Sequence, residues 1–273
     1  MSQANLLILV AVTLPPRSLN ALGEVTDERT VETPFGPVGP MALRTPGPRP
    51  GQDAPASTWV LPYSGLPTRT DPRATIHAAI QLGVAYVLNW DEAVAVNPVL
   101  TRGQAAVPVD YIDWTRSLPG TFTATFTGTF TGTAPANPSH FEPPPAFDPT
   151  LVARLAALLP HAPGVTYLGV DGPRRETPAE ARMFRAWGVD VLGQNLIPEV
   201  ILAQEMGLAY AGLVTVLDRS ADQVAADPHG ELREGLEQIT AILPQLAQDL
   251  QALNSLPGSL QRPKNQFGAF FRG

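Results

Sequence analysis

The sequence contains no cysteine, so neither a disulfide framework nor a thiolate-ligated zinc site can be built from it. Positive charge is also in deficit: 18 Lys and Arg stand against 25 Asp and Glu, a formal charge of −7 with a pI near 5.1. Without a basic run to offset this acidity, the chain offers no surface suited to a phosphate backbone, which excludes nucleic acid as a partner. Long hydrophobic runs are missing too. The longest early one, Leu6 to Val12, is too short to cross a bilayer and follows no basic segment, so neither an export signal nor a membrane anchor is expected. The resulting expectation is a cytoplasmic chain that binds no membrane.

What is present is a large apolar fraction, 44% of the residues, enough to bury a substantial core. Gly and Pro make up about a fifth of the chain, above the usual share but below that of low-complexity disorder. Leu6 to Val12, closed by Thr13-Leu14-Pro15-Pro16, reads as a strand buried on both faces, as in parallel sheets. Segment 36–57 holds six prolines among few apolar residues and reads as a long surface connection without a regular element in much of it. Residues 73–82 suit a helix stopped by Gly83, and 84–88 the next strand.

Residues 121–133, TFTATFTGTFTGT, form a biased tract in which Phe122, Phe126 and Phe130 share one face of an extended chain. A flap or subunit-contact arm and an expanded loop without a role are both consistent with it. A second proline-rich loop occupies 132–149. Beyond it the pattern becomes rhythmic: a helix over 148–159 entered through Asp148-Pro149, a strand over 164–170, and a helix over 177–188. That last helix opens with Thr177, Pro178 and Glu180, a complete capping box. A strand over 189–193, a helix over 198–206, a strand over 208–217 and an amphipathic C-terminal helix over 231–253 follow, the last with Pro244 inside it as a candidate kink. This alternation argues for an α/β fold.

Particular residues then carry a family resemblance. The run GVDGPRRETPAEARMFRAWGVDVLGQNLIPEV from Gly169 resembles the purine nucleoside phosphorylases of the methylthioadenosine type. So do Val31-Glu32-Thr33-Pro34-Phe35-Gly36 and Tyr111-Ile112-Asp113-Trp114-Thr115 with Thr121-Phe122, all in family order. The resemblance implies one domain over 1–273, a mixed central sheet flanked by helices, and a homotrimer with sites near subunit interfaces. It also implies cleavage of a purine nucleoside, with phosphate attacking C1′ as the purine leaves; no cofactor is expected, phosphate being a co-substrate only where phosphorolysis is retained.

The family's three phosphate elements are replaced here. Its glycine loop aligns with Val10, Ala11, Val12, Thr13 and Leu14, whose side chains fill the backbone nest an anion would use. Its Arg-His-Gly clamp aligns with Tyr63, Ser64 and Gly65, which carry no cation. Its third turn, rich in hydroxyl and amide donors, aligns with Trp90, Asp91 and Glu92 onward, placing two carboxylates where a dianion would sit. These changes argue against family-type phosphorolysis.

On the nucleoside side, Asp171 aligns with a glutamate, Arg175 with the phenylalanine that stacks on the purine, Gln194 with the methionine beneath the ribose, and Asn195 with a phosphate-touching threonine. Asp218 aligns with the first carboxylate facing the purine edge, and Ser220 replaces the second. Asp218 is thus a candidate purine-side acid or a strand-end cap. Asp91 and Glu92 are candidate bases for water, although adjacent carboxylates at a strand end are more often solvated loop residues. Arg174, Glu176 and Glu180 read as structural, and Glu199 and Glu205 as ion-pair formers. His140 precedes a stretch similar to the family's neighbour-subunit loop; His77, His161 and His229 read as surface or packing residues, and no metal-ligand spacing links the four. Three activities remain open: a phosphorylase with a rearranged phosphate site, a silent nucleoside-binding or partner subunit, and a phosphate-independent nucleosidase.

Overall fold

The computed structural model describes residues 4–15, 17–47, 56–63, 71–116, 120–122, 145–223 and 231–254. Ser64, His140, His229 and the Phe/Thr tract from residue 123 onward lie outside them.

Among the described residues, nine strands form one mixed sheet. They are β1 (Leu6–Ala11), β2 (Glu24–Val31), β3 (Val38–Thr45), β4 (Thr58–Pro62), β5 (Tyr86–Ala95), β6 (Ala105–Trp114), β7 (Gly164–Val170), β8 (Val191–Gly193) and β9 (Ala209–Arg219). The order is β2-β3-β4-β1-β5-β8-β7-β6-β9, and a further β5–β9 pairing closes the last five strands into a ring. The α-helices that flank it are α1 (Pro72–Gln81), α2 (Pro149–Leu158), α3 (Pro178–Ala186), α4 (Glu199–Glu205) and α5 (Glu231–Asn254). The expected mixed sheet flanked by helices is therefore present.

The helices begin where local chemistry directs. Asp71, Asp148 and Thr177 each accept first-turn backbone N–H groups, and each precedes a proline that needs no hydrogen bond there. Glu180 completes the capping box on Thr177. The α1 and α4 side chains Ile76, Ala78, Val200 and Leu202 join one apolar layer with Val87, Ala93 and Tyr167. Leu151 and Leu155 of α2 join a second layer with Leu236, Ile239, Leu243 and Leu246 of α5, and with Leu88 and Trp90 of β5. Helix α5 continues through Pro244.

Three sequence expectations are corrected. Segment 36–57 contains a strand, β3, paired antiparallel with both β2 and β4, with Met41 fully buried. Pro40 is compatible with this because it lies where the β2–β3 register shifts, so its missing N–H breaks no regular rung. The strand expected over 84–88 instead runs to Ala95. Trp90, Asp91 and Glu92 are thus strand residues rather than a strand-end turn, Trp90 and Asp91 held between β1 and β9 and Glu92 paired with β9.

Candidate functional site

Strands β1, β4 and β5 are parallel and in register, Val10 standing beside both Pro62 and Trp90, and Ala11 beside Asp91. The carboxyl ends of β1 and β4 therefore bring Thr13 and Tyr63 alongside the middle of β5, where Asp91 and Glu92 stand, near the usual place for a ligand in an α/β fold. β8 runs antiparallel to β5, with Leu192 opposite Val94, and brings Gln194 and Asn195 back past the same carboxylates.

Strand alternation separates the neighbours Trp90 and Asp91. Trp90 is fully buried in the α2/α5 layer and its indole N–H donates to Thr215 Oγ1 at 2.9 Å, so this aligned position does not face the candidate site. Asp91 is also fully buried, which overturns the solvated-loop reading. It accepts from Tyr167 Oη at 2.7 Å and from Asn195 Nδ2 at 2.5 Å. Burial pushes its pKa up to about 6, against the opposing pull of those donors. Gly193 is required beside it: an added Cβ would collide with Asp91 Oδ2 and stand 2.5 Å from Tyr167 Oη.

Glu92 behaves differently. Its Oε1 accepts the backbone N–H of Thr13 at 2.7 Å. The chain's own carboxylate thus occupies a donor of the loop aligned with the family's anion nest. Val12, next to it, is buried and apolar.

Tyr63, expected at the position of the family's clamp arginine, is buried and donates its hydroxyl to Glu199 Oε1. Glu199 forms no ion pair among the described residues, contrary to expectation; burial pushes its pKa up to about 7. Its Oε2, like Asn89 Oδ1, has no hydrogen-bond partner among the described residues. Asn89 Nδ2 in turn donates to the Asn195 carbonyl and, at 2.9 Å, to Tyr210 Oη. Glu205, the other expected ion-pair former, accepts from Thr121 Oγ1 and the Phe122 N–H instead.

The nucleoside-side residues form a second group. Arg175 donates to Asp218 Oδ2 at 2.7 Å and to the Arg219 carbonyl at 2.7 Å, with Glu176 Oε1 3.3 Å away. A register shift in the β5–β9 ladder sets Asp218 opposite Val94, three residues beyond Asp91 on the same strand. Gln194 lies against Gly172, where any side chain would displace it, and so reaches the loop of Asp171, whose Oδ2 accepts the Arg116 N–H. Ser220 is buried and bonded to Asp222, holding the turn after β9. Arg174 and Glu180 pair at 2.6 Å, which with the cap holds Glu180 down to about 2.

Sequence reasoning missed Tyr167, Asn89 and Tyr210. The signal available for Asn89 was its position two residues before Asp91, on the same strand face; Tyr167 and Tyr210 look like any core aromatic. Among the described residues no group of His, Asp and Glu is arranged to hold a metal ion.

The model of the Phosphorylase superfamily matches residues 22–253. A probable 6-oxopurine nucleoside phosphorylase of Moorella thermoacetica is 33% identical over 239 residues, 84% of this chain and 86% of the relative. The S-methyl-5'-thioadenosine phosphorylase of Mycobacterium tuberculosis is 31% identical over 212 residues, 74% of this chain and 73% of that one. In fold, the chain resembles methylthioadenosine phosphorylase from Schistosoma mansoni in complex with tubercidin, with a TM-score of 0.74 at 21% identity, covering 91% and 92% of the two chains. By the extent of these matches the chain belongs to the Phosphorylase superfamily, in its purine nucleoside and methylthioadenosine phosphorylase family.

Proposed function

We propose that the chain recognises a purine nucleoside and has given up orthophosphate as the attacking group. Relatives named for 6-oxopurine nucleosides and methylthioadenosine support the nucleoside class. The observation that carries the second half is the Glu92 carboxylate on the Thr13 N–H, an internal anion at the loop that should receive phosphate.

Phosphorolysis needs the phosphate dianion held beneath the sugar and its charge balanced as the purine departs. Here Tyr63 stands at the clamp, and its hydroxyl is engaged by Glu199. Of the two carboxylates at this strand, Glu92 is the one on the Thr13 N–H, where an incoming dianion would meet it. Two like charges 4 Å apart repel by about 4 kcal/mol at an effective dielectric of 20, before any divalency is counted. On the purine side, Arg175 covers Asp218 with a guanidinium, replacing an aromatic stacking surface with a fork that prefers planar anions. The site therefore reads as that of a nucleoside-binding protein, catalytically silent toward phosphorolysis. A homotrimer in the cytoplasm belongs to the same reading, and the mass in solution by light scattering tests the assembly.

The deciding experiment follows free purine from methylthioadenosine, adenosine and inosine, with and without phosphate, alongside nucleoside binding by calorimetry. Binding without release supports the proposal. Release that requires phosphate overturns it in favour of the family reaction, and phosphate-independent release identifies a nucleosidase. Absence of both binding and release overturns the nucleoside assignment itself.

A further inference from the structure

One face of β5 holds Asn195 at three points. Asp91 Oδ1 accepts from the Asn195 side chain at 2.5 Å, and the Asn195 carbonyl accepts from Asn89 Nδ2. The Asn195 backbone N–H is shared between Asp91 Oδ2 at 3.4 Å and Tyr167 Oη at 3.3 Å. Asn89 and Asp91 stand two residues apart on the strand, so their side chains leave the same face, and both are fully buried. Tyr167 Oη donates to Asp91 Oδ2 at 2.7 Å, and the Gln194 N–H also favours the charged carboxylate. Two backbone amides, a side-chain amide and a phenol thus surround an anion that belongs to the chain itself. Such donors would be costly to bury with nothing to accept from them.

The turn anchored in this way also reaches the nucleoside-side group. It starts at Gly193, whose lack of a side chain lets Asp91 and Tyr167 meet. The next residue, Gln194, packs against Gly172, where an added Cβ would fall on its amide, beside Asp171. Gln194 and Asn195 are consecutive, so what fixes the second also places the first. Asp91 is therefore linked through one peptide unit to the residue expected beneath the sugar. With both of its oxygens accepting from donors of the protein, Asp91 is engaged as an anchor rather than free to take a proton from water.

We propose that Asp91 is a positioning residue: by gripping Asn195 it fixes the turn that presents Gln194 to the nucleoside, so the sugar side of the site stands ready with no phosphate bound. The role rests on the nucleoside reading above and assigns to the chain's own carboxylate the ordering of that turn.

The test is a calorimetric titration with methylthioadenosine at pH 8, where Asp91, with a pKa of about 6, is ionised, and at a temperature well below unfolding. The parent should bind equally well with and without phosphate. Asp91→Ala leaves the donors of Gln194, Asn195 and Tyr167 without their acceptor and should bind about tenfold more weakly or worse. Formate, a one-carbon carboxylate, should restore affinity to this variant, while chloride at the same ionic strength should not. A role in stability alone would lower the melting temperature of the folded variant and leave its affinity at the parent's value. Amide hydrogen exchange in the parent, read by NMR without nucleoside or phosphate, needs no variant: the Gln194 and Asn195 N–H groups should exchange as slowly as that of Leu192 in β8. Parent-like affinity in Asp91→Ala, weakened binding that formate does not restore, a parent that needs phosphate to bind, or exchange at Asn195 as fast as in an open turn would each overturn the positioning role. A parent that binds no nucleoside would instead overturn the nucleoside reading, and the role with it.

Discussion

The Glu92 carboxylate and the Thr13 backbone N–H meet at 2.7 Å across 79 residues of sequence, and on the proposed reading this contact keeps phosphate from the loop at the end of β1. Glu92→Ala should release it. Phosphate affinity measured by calorimetry is expected to rise about tenfold or more over the wild type, since a like charge is removed and a donor is freed. The gain should remain modest because Tyr63 supplies no cation. An Ala variant that binds phosphate no better than the parent would show that something other than Glu92 excludes the anion.

Arg175 and Asp218 form an ion pair in which both side chains are about half exposed, 50% and 43%. Such pairs add little stability, about 0–1 kcal/mol. The loss of the Asp218 pair alone should thus cost Arg175→Phe little, any fall in melting temperature coming from Glu176, whose buried carboxylate loses its guanidinium, while nucleoside binding should tighten as Asp218 is freed and a ring for stacking is restored. A calorimetric titration with methylthioadenosine reads the second effect. Unchanged or weaker binding would argue that Arg175 itself contacts the ligand.

Glu199 gives a pH dependence with a definite sign. Its pKa rises from 4.5 to about 7 on folding, so it favours the fold while protonated and withdraws that contribution as pH climbs through the folded value. Asp91, raised from 3.8 to about 6, acts in the same direction. Glu180 and Asp222, both lowered to about 2, act oppositely but only at acid pH. Glu199→Gln should thus flatten the decline in melting temperature between about pH 5 and about pH 8, the full effect being of order 3 kcal/mol. The difference between the two pH values is the readout, which cancels any fixed cost of the amide. Parallel curves for variant and parent would remove Glu199 as the source.

Gly193→Ala inserts a methyl group into the contact between Asp91 and Tyr167. The expected loss is about 1–3 kcal/mol, seen as a lower denaturation midpoint with an unchanged slope. Thr177→Ala offers a comparison of known kind: it removes one half of a capping box and should cost about 1 kcal/mol. A Gly193 variant milder than the Thr177 variant would mean that Asp91 and Tyr167 yield easily.

The helices were the most legible part of the sequence, because caps and prolines act within four residues: Asp148-Pro149 and Thr177-Pro178 announce α2 and α3 directly. Strands β7 and β9 were readable from apolar runs bounded by glycine. β3 was hidden by Pro40, whose harmlessness depends on a register shift formed with a neighbouring strand. The site was legible as a set of substituted positions but not as geometry. That Asp91 is buried and Trp90 turned away follows from where β5 ends, and β9, more than a hundred residues later, determines that. Nothing in the local sequence marks Tyr63 as the partner of Glu199.

The alternation along β5 has a further bearing on assembly. Leu88 and Trp90 enter the layer beneath α2 and α5, while Asn89 and Asp91 enter the polar set of Tyr167, Asn195 and Tyr210. A displacement of this strand by one residue would exchange the two sets, forcing an indole among hydroxyls and a carboxylate among leucines. Only one alignment of the central strand satisfies both sides, so the alternation of Leu88, Asn89, Trp90 and Asp91 fixes the register of β5 against its neighbours.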